Sequence, residues 1–197
     1  FFIVTKMKIL AILVLVLVVL TSNCTENHPD FTLINSYRIP YPAFTQGFIF
    51  NATTNTIIES TGILRQSRIR TYQLNEAKQK ANVPKLKYKN SDNEFGEGLV
   101  YFNGTYYQLT WQNDVIHLLD SDFNHLSTHP LPLEMHKSGW GITSDSTHLY
   151  ANSGTDEIFK IDPLTLKTTE IIKATKPDGR PLRNLNECEI VKNSMYC

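Results

Sequence analysis

The sequence has no excess of charge of either sign, because its 197 residues carry 19 lysines and arginines against 19 aspartates and glutamates. No run of like charge exceeds a few residues, so nothing indicates a nucleic acid or an acidic partner. Phosphate-binding loops and dinucleotide-binding motifs are also missing. The length allows one domain with a sizeable core rather than two.

Cysteines are scarce, and their number of three is odd. They therefore do not form the even set from which the disulfide framework of a small secreted domain is built. Cys24 is expected to leave with an N-terminal leader. Cys188 and Cys197 flank a predicted hairpin turn at residues 192–194, so a cross-strand bridge forms if the register places them opposite each other. Two unpaired thiols in neighbouring strands are the alternative.

The N-terminus has the order of a secretory signal. Lys6 and Lys8 precede an unbroken apolar run over residues 9–20, and small polar residues come after it. We predict a leader over residues 1–24 with translation starting at Met7. The run is short for a membrane span, although a retained signal-anchor has the same appearance. The protein is expected to be secreted or in the secretory pathway, and attached to a membrane only if the leader is retained.

Three Asn-X-Thr triplets would accept glycans in a eukaryotic secretory pathway. Such triplets also arise by chance, so they add little to the prediction of export. They begin at Asn23, Asn51 and Asn103.

The composition and the local pattern favour β-structure. Aromatic residues make up 11% of the chain, with nine tyrosines and ten phenylalanines. Short strands succeed one another in sets of three, separated by turn residues, and Asn103-Gly104 is the strongest hairpin signal. The predicted strands are 45–50, 56–60 and 68–74; 97–102, 105–110 and 114–119; 141–143, 148–151 and 157–161; and a fourth set opening at 187–191.

The first strands of these sets share a local pattern. The stretches TQGFIF, GEGLVYF, GWGITSD and LNECEIV can be aligned, with spacings of 51, 43 and about 46 residues. The third strands agree, since DVIHLLD and DEIFKID end in aspartates 42 residues apart. A period in the forties with several strands per unit predicts an all-β propeller over residues 33–197. A β-sandwich competes, but it would not need this periodicity.

A propeller would turn the aligned positions into a site. The innermost strand of each blade lines the channel, so equivalent residues meet in a ring at one mouth. The ring would hold a carboxyl group, two amides and an indole, and Trp111 could overhang the same mouth; core or inter-blade packing is the alternative for both tryptophans. The predicted ring residues are Gln46, Glu97, Trp140 and Asn186, with Glu187 as an alternative in the last alignment.

Seven short motifs occur in order along the chain. They are AFTQG (43–47), ESTG (59–62), FGEGL (95–99), LTWQND (109–114), GWG (139–141), IDP (161–163) and LNE (185–187). In this order and spacing the sequence resembles the plant-type glutaminyl-peptide cyclotransferases, the glutamine cyclotransferase family, from about residue 33 to the last residue. The resemblance implies a five-bladed propeller and an acyltransferase that converts N-terminal glutamine of peptides and proteins to pyroglutamate with release of ammonia.

The resemblance also assigns roles to the ring. It implies that Glu97 is the catalytic acid/base, that Trp111 and Trp140 form an aromatic pocket, and that Gln46 and Asn186 are polar pocket residues. It implies no required cofactor and a monomer whose partners are peptides and proteins with N-terminal glutamine. Whether a structural cation binds in the channel is left open by the sequence.

The chemistry of the residues agrees with these roles. The α-amine of the substrate attacks its own γ-carboxamide, so the nucleophile is tethered and no nucleophilic Ser or Cys is needed. One carboxyl group with a pKa raised by a poorly hydrated pocket can move both protons. Asn186, Gln46 or an indole N–H can donate to the developing oxyanion.

Two features depart from the family pattern. Residues 63–67 differ from the family after ESTG, so the turn there is expected to differ. The chain also stops at Cys197, inside the second strand of the fourth repeat, so we expect a propeller truncated within its fourth blade. Activity is accordingly expected of the completed protein and not necessarily of this fragment.

Two other functions stay open. A non-catalytic propeller could bind peptide N-termini through the same ring. A hydrolase of the lactonase kind would need a channel metal held by several carboxylates and asparagines, and the ring supplies one clear carboxylate. His125 and His129 lie in a Pro-containing stretch predicted to be irregular, which favours solvated loop histidines over metal ligands.

Overall fold

The computed structural model describes residues 2–4, 35–39, 41, 43–75, 80–192 and 194–197. Within these ranges the regular structure is β-strand apart from one 3₁₀ turn, Leu133–Met135. No helix in the described part is long and apolar enough to cross a membrane. The predicted leader lies outside the described residues except for strand β1 (Phe2–Val4), which pairs antiparallel with β2 (Asn35–Tyr37).

Three antiparallel sheets succeed one another along the chain, and, with one exception in the first sheet, each strand pairs with its neighbour in sequence. Sheet I contains β3 (Thr45–Asn51), β4 (Thr56–Thr61), β5 (Arg68–Asn75), β6 (Lys80–Ala81) and β7 (Lys85–Lys89). In sheet I both β6 and β7 pair with β5. Sheet II contains β8 (Phe95–Phe102), β9 (Thr105–Trp111), β10 (Val115–Leu119) and β11 (His125–Pro130). Sheet III contains β12 (Ile142–Ser144), β13 (Leu149–Asn152), β14 (Glu157–Ile161) and β15 (Thr168–Lys173).

A short hairpin comes after sheet III. Strands β16 (Glu189–Val191) and β17 (Ser194–Tyr196) pair antiparallel, with Glu189 opposite Tyr196. This register brings Cys188 and Cys197, one residue beyond each strand, opposite each other, and they form a disulfide. The bridge that the sequence left open is thus present.

The turns within the sheets are explained by their residues. Asn103 and Gly104 both have positive φ, 46° and 85°, which makes the β8–β9 connection a type I′ turn and confirms the hairpin signal. Asp120 and Asp162, which come directly after the third strands of sheets II and III, each accept two backbone N–H bonds through Oδ1. The equivalent positions of the two aspartates therefore reflect the same local turn in two sheets.

Two of the three buried apolar clusters lie between neighbouring sheets, and the third packs sheet I against residues of β2. Leu109 and Ile116 of sheet II pack with Ile142 and Phe159 of sheet III. A second cluster joins sheets I and II. The sheets are stacked face to face in chain order, and burial of their apolar faces is the main stabilising contribution.

The first strands of successive sheets lie side by side. Strand β8 contacts β3 on one side and β12 on the other, and β12 contacts β16. The approach is close enough to require glycine: a Cβ at Gly47 would lie 2.5 Å from Leu99 N, and one at Gly98 would lie 2.5 Å from Trp140 O. A Cβ at Gly141 would collide with the carbonyl of Asn186 in the same way.

The prediction of three strands per repeat was incomplete, because each sheet has a fourth strand. These strands are β7, β11 and β15, and most of their residues are exposed. A strand that buries neither face carries no alternation of apolar and polar residues, so its sequence contains no period to detect. The prediction of an irregular stretch at His125 and His129 was wrong for the same reason, since both lie on β11.

Candidate functional site

Strands β3 and β8 each contain a β-bulge near their start. In the β3–β4 ladder Thr45 pairs with Thr61 and Gly47 with Ser60, which leaves Gln46 as the additional residue. In the β8–β9 ladder the register shifts between Gly96 and Leu99, at Glu97 and Gly98. A bulge redirects the side chain that it carries, and bulges are frequent beside active sites.

Sheet III repeats this arrangement just before β12. Asn152 of β13 faces two residues, because Trp140 N donates to its carbonyl (3.0 Å) and its own N–H donates to Gly141 O (3.0 Å). Gln46, Glu97 and Trp140 therefore occupy one structural position, each followed by the glycine that contacts the next sheet. The repeated pattern in the sequence, a ring residue followed by glycine, is therefore explained by this bulge and by the close packing of the glycine on the next sheet.

Glu97 is the buried member of the three, with 4% of its surface exposed. Its carboxylate Oε2 accepts a hydrogen bond from Gln46 Nε2, which joins sheet II to sheet I. Burial raises the pKa of Glu97 from 4.5 to about 8, and the bond from Gln46 offsets part of that rise. With this pKa the carboxyl group is mostly protonated at neutral pH.

A buried polar network fixes the backbone beneath Glu97. Ser60 Oγ donates to the carbonyl of Glu97 (2.6 Å) and accepts from Gln108 Nε2 (2.8 Å). The carboxamide of Asn90 donates in turn to Gln108 Oε1 (3.0 Å). All three supporting side chains are buried, so their hydrogen bonds are made in a low-dielectric setting and hold the bulge firmly.

An aromatic row lies beside the carboxyl group. Trp111 pairs with Phe95 in the β8–β9 ladder, and their rings meet edge to face at 5.5 Å between centroids. Phe44 meets Phe95 in the same way at 6.0 Å. Trp111 and Phe44 are 37% and 54% exposed, so the row forms an apolar rim open to solvent.

Trp140 lies on the side of Glu97 opposite Gln46. Its carbonyl accepts from Gly98 N (2.8 Å), and its ring packs on Gly154, where a Cβ would lie 2.7 Å from the indole. Gly154 has φ of 76°, a second reason for glycine there. The indole Nε1 is buried and has no hydrogen-bond partner among the described residues.

The fourth position of the predicted ring is occupied by Asn186. Its main-chain carbonyl accepts from Asn152 Nδ2 (2.5 Å) and faces Gly141, but the residue is exposed. The neighbouring Glu187 is half-buried, and its Oε2 is enclosed without a hydrogen-bond partner among the described residues. Burial, with the nearby carboxyl groups of Glu189 and Glu97, raises the pKa of Glu187 well above its usual range.

The structure therefore brings together most of the residues predicted for the site. Gln46 and Glu97 are hydrogen-bonded, the carbonyl of Trp140 accepts from Gly98, and that of Asn186 faces Gly141. Trp111 on β9 pairs with Phe95, two residues before Glu97. Sequence reasoning missed Phe44 and Phe95 as parts of the rim. Phe95 lies two residues before Glu97 on β8, and Phe44 comes just before β3, but the bulges at Gln46 and Glu97 interrupt the period-2 alternation that could have identified these aromatics.

Metal ligation has no support in the ranges given above, since no group of three or more His, Cys, Asp or Glu side chains there could hold an ion. The buried His117 of β10 is instead satisfied by Glu94 (3.1 Å) and Thr128 (3.0 Å). Burial lowers the pKa of this histidine, and Glu94 acts in the opposite direction.

Comparison with known proteins relates this arrangement to a family. Glutaminyl-peptide cyclotransferase of Arabidopsis thaliana is 32% identical over 155 residues, covering 78% of this chain and 45% of that protein. The chain thus spans about half the length of this relative.

Solved structures show the same fold. The crystal structure of Myxococcus xanthus glutaminyl cyclase matches with a TM-score of 0.63 at 24% identity, covering 78% of this chain and 60% of that one. The crystal structure of RRP9 WD40 repeats matches with a TM-score of 0.50 at 7% identity, over 76% of this chain and 42% of that one. The sequence model of glutamine cyclotransferase matches residues 9–197, and the chain belongs to that family.

Proposed function

We propose that the whole protein cyclises N-terminal glutamine of peptides and proteins to pyroglutamate with release of ammonia. The observation that carries the proposal is Glu97: one buried carboxyl group, directed by a bulge, with a pKa raised to about 8 and an aromatic rim beside it. Family membership supports the same activity. The reaction is an aminoacyl transfer within the substrate.

Proton balance explains why one such carboxyl group suffices. A free peptide α-amine has a pKa of about 7.7–8, close to that of Glu97, so the proton can move between the two groups with little cost. The neutral amine attacks the γ-carboxamide carbon and forms the ring C–N bond. Glu97 gives its proton to the departing NH₂ group and takes the proton that the ring nitrogen loses, so ammonia leaves and the carboxyl group is restored.

The neighbours of Glu97 would serve the other needs of the reaction. The indole N–H of Trp140, which has no partner among the described residues, would donate to the oxygen that becomes negative in the tetrahedral intermediate. Gln46 holds Glu97 in position through its hydrogen bond, and Asn186 would contribute a side-chain amide at the mouth. Phe44, Phe95 and Trp111 would keep water from the folded glutamine side chain.

The finer architecture and the cellular setting belong to the same proposal. We propose that sheets I to III are successive blades of a five-bladed propeller spanning residues 33–197 and beyond, with β16–β17 opening the fourth blade. The side-by-side first strands and their glycine contacts support this arrangement. We further propose a monomer exported by the N-terminal leader, with glycans on its Asn-X-Thr triplets, that needs no cofactor for the reaction.

The experiment monitors a Gln-initiated peptide by mass spectrometry with the protein secreted from its complete reading frame. The expected result is loss of ammonia, reduced 10²–10⁴-fold in Glu97→Gln, because acid/base groups contribute about that much. His129→Gln on the exposed strand β11 is the control and should keep full activity. Activity of Glu97→Gln within about tenfold of wild type would remove Glu97 from this role.

A propeller that binds peptide N-termini without turnover is the second candidate, and the exposed aromatic rim favours it as much as catalysis. The titration of Glu97 separates the two. A recognition role gains if the carboxyl group has an ordinary pKa and Gln peptides bind without product.

A further inference from the structure

The turn that joins β4 to β5, residues 62–67, lies against the candidate site. A Cβ at Gly62 would lie 2.5 Å from Phe95 Cζ and 3.2 Å from Gln46 Cγ, so the turn starts in contact with the rim and with the partner of Glu97. Gly62 N also donates to Phe44 O (2.8 Å). The residues just after Gly62 in the chain are therefore placed directly beside the mouth.

Hydrogen bonds hold this turn in one conformation. Ile63 O accepts from Gln66 N (2.9 Å) and from Ser67 Oγ (3.0 Å). Arg65 N donates to Asp92 O (2.9 Å), and Gly96 N donates to Ser67 Oγ (3.0 Å). The turn is thus tied both to itself and to the start of β8.

The conformation is unfavourable for its residues. Ile63 has φ of 79° and Arg65 has φ of 67°, in the left-handed region that β-branched and bulky residues rarely adopt. Gln112 and Asp114 of the β9–β10 turn have similar positive φ values, 64° and 63°, so the conformation is shared and the bulky Ile63 distinguishes the turn of sheet I. The side chains held in this way are also exposed, Ile63 by 40% and Leu64 by 54%.

The corresponding turns of the other two sheets have a different character. The β9–β10 turn contains Gln112, Asn113 and Asp114, and the β13–β14 turn contains Ser153 to Asp156, so both are polar. Among the three, the turn of sheet I alone presents apolar side chains to solvent. Solvation of a surface turn does not account for this difference.

We propose that Ile63 and Leu64 contact the second residue of the peptide substrate and favour an apolar side chain there. The proposal rests on the proposed function, because it places the N-terminal glutamine beside Glu97. Successive Cα atoms are about 3.8 Å apart, so the second residue must leave the pocket along its rim. Phe95, on the strand of Glu97, lies against Gly62, and Leu64, two residues further along the chain, is exposed.

The test measures equilibrium binding to the whole protein carrying Glu97→Gln, so that turnover does not interfere. Two peptides, Gln-Leu-Ala-Gly and Gln-Ser-Ala-Gly, are titrated while tryptophan fluorescence is recorded. We expect the leucine peptide to bind about tenfold more tightly, the size of effect produced by one partly buried leucine contact. Leu64→Ser should reduce the ratio of dissociation constants to about two, and Leu64→Met should restore it.

A matched control is available on β11. Leu126 is 56% exposed, close to the 54% of Leu64, and lies on an outer strand, so Leu126→Ser should leave the ratio unchanged. Equal dissociation constants for the two peptides, no binding of either, or an unchanged ratio in Leu64→Ser would each overturn the proposal. Ammonia release by the wild-type protein reports separately on the proposed function, so the two can fail independently.

Discussion

Strands β8 and β11 belong to the same sheet and differ in almost every property. Strand β8 is buried along nearly its whole length, carries a bulge, and places Glu97 between the neighbouring strands β3 and β12. Strand β11 is largely exposed and presents polar side chains such as His125 and His129. Sheet III shows the same contrast between β12 and β15, whereas in sheet I most of β3 is half-buried and β7 is largely exposed.

The contrast shows which strands restrict their amino-acid sequence most. A first strand must pack closely against the backbone of the next sheet, form a bulge and present a functional side chain. Few residue types meet these requirements at each position. A fourth strand needs only hydrogen bonds to the third strand, which most residues can supply. Substitutions should therefore have large effects in first strands and small effects in fourth strands.

The largest effect is expected from the charge of Glu97. Because its pKa is raised from 4.5 to about 8 in the folded state, the folded protein binds more protons than the unfolded chain between these pH values, and its stability falls as pH rises through that window. Glu97→Gln removes this cost, and the variant should be the more stable protein above pH 8, with an upper limit of roughly 5 kcal/mol. Urea unfolding across pH 4 to 9 measures the difference.

The control for this experiment is Glu170→Gln on the exposed strand β15. It should change the free energy of unfolding by less than about 0.5 kcal/mol at any pH. If Glu97→Gln and wild type show parallel curves across the window, the carboxyl group ionises as it does in water and the burial argument is wrong.

The next effect concerns the close approach of first strands. Gly98→Ala puts a Cβ 2.5 Å from Trp140 O and 2.8 Å from Ile142 N, and both are backbone atoms that cannot rotate away. We expect a loss of about 2–3 kcal/mol in the free energy of unfolding. Gly104→Ala has no atom within 4 Å and loses only through its φ of 85°, about 1 kcal/mol. Equal losses for the two variants would contradict the packing argument.

A smaller effect is expected beneath the site. Ser60→Ala leaves the carbonyl of Glu97 without its donor and removes one acceptor of Gln108, which should lower stability by about 1–2 kcal/mol. Turnover should fall more than substrate affinity, since the bulge loses its support. Ser127→Ala on β11 is the matched substitution and should change neither quantity measurably.

The smallest effect is expected on β15. Ile171 is 42% exposed, and Ile171→Thr should change the free energy of unfolding by less than about 0.5 kcal/mol by thermal or urea unfolding. A loss above about 1 kcal/mol would mean that this face is covered in the whole protein, and the contrast between first and fourth strands would then not extend to sheet III.

The same contrast explains what could be predicted from the sequence. The first three strands of each sheet were placed within a few residues, and the Asn103-Gly104 turn was identified, because alternation and turn chemistry are local signals. The fourth strands were missed because exposed strands lack a period. Gln46, Glu97 and Trp140 were aligned through the glycines next to them, whereas the bulge that explains the alignment depends on register and is visible only in the ladder.

The polar support of the site could not be predicted. Ser60, Gln108 and Asn90 come from three different strands or loops, and nothing in their local sequence distinguishes them from ordinary surface residues. The sequence shows that residues 63–67 differ from the family pattern. The position of this turn beside the site follows only from the structure, through the positive φ of Ile63 and the contact between Gly62 and Phe95.

The hydrogen bond between Gln46 and Glu97 joins positions 51 residues apart, whereas the strand pairing within each large sheet is between near neighbours in sequence. A ribosome adds about 5–20 residues per second, so roughly 3 to 10 seconds pass between the synthesis of Gln46 and that of Glu97. Until sheet II docks, the Glu97 carboxyl group remains in water and titrates as a free glutamate. The pKa of Glu97 therefore rises when sheet II docks on sheet I. Measured during refolding, this rise marks the time at which the site is assembled.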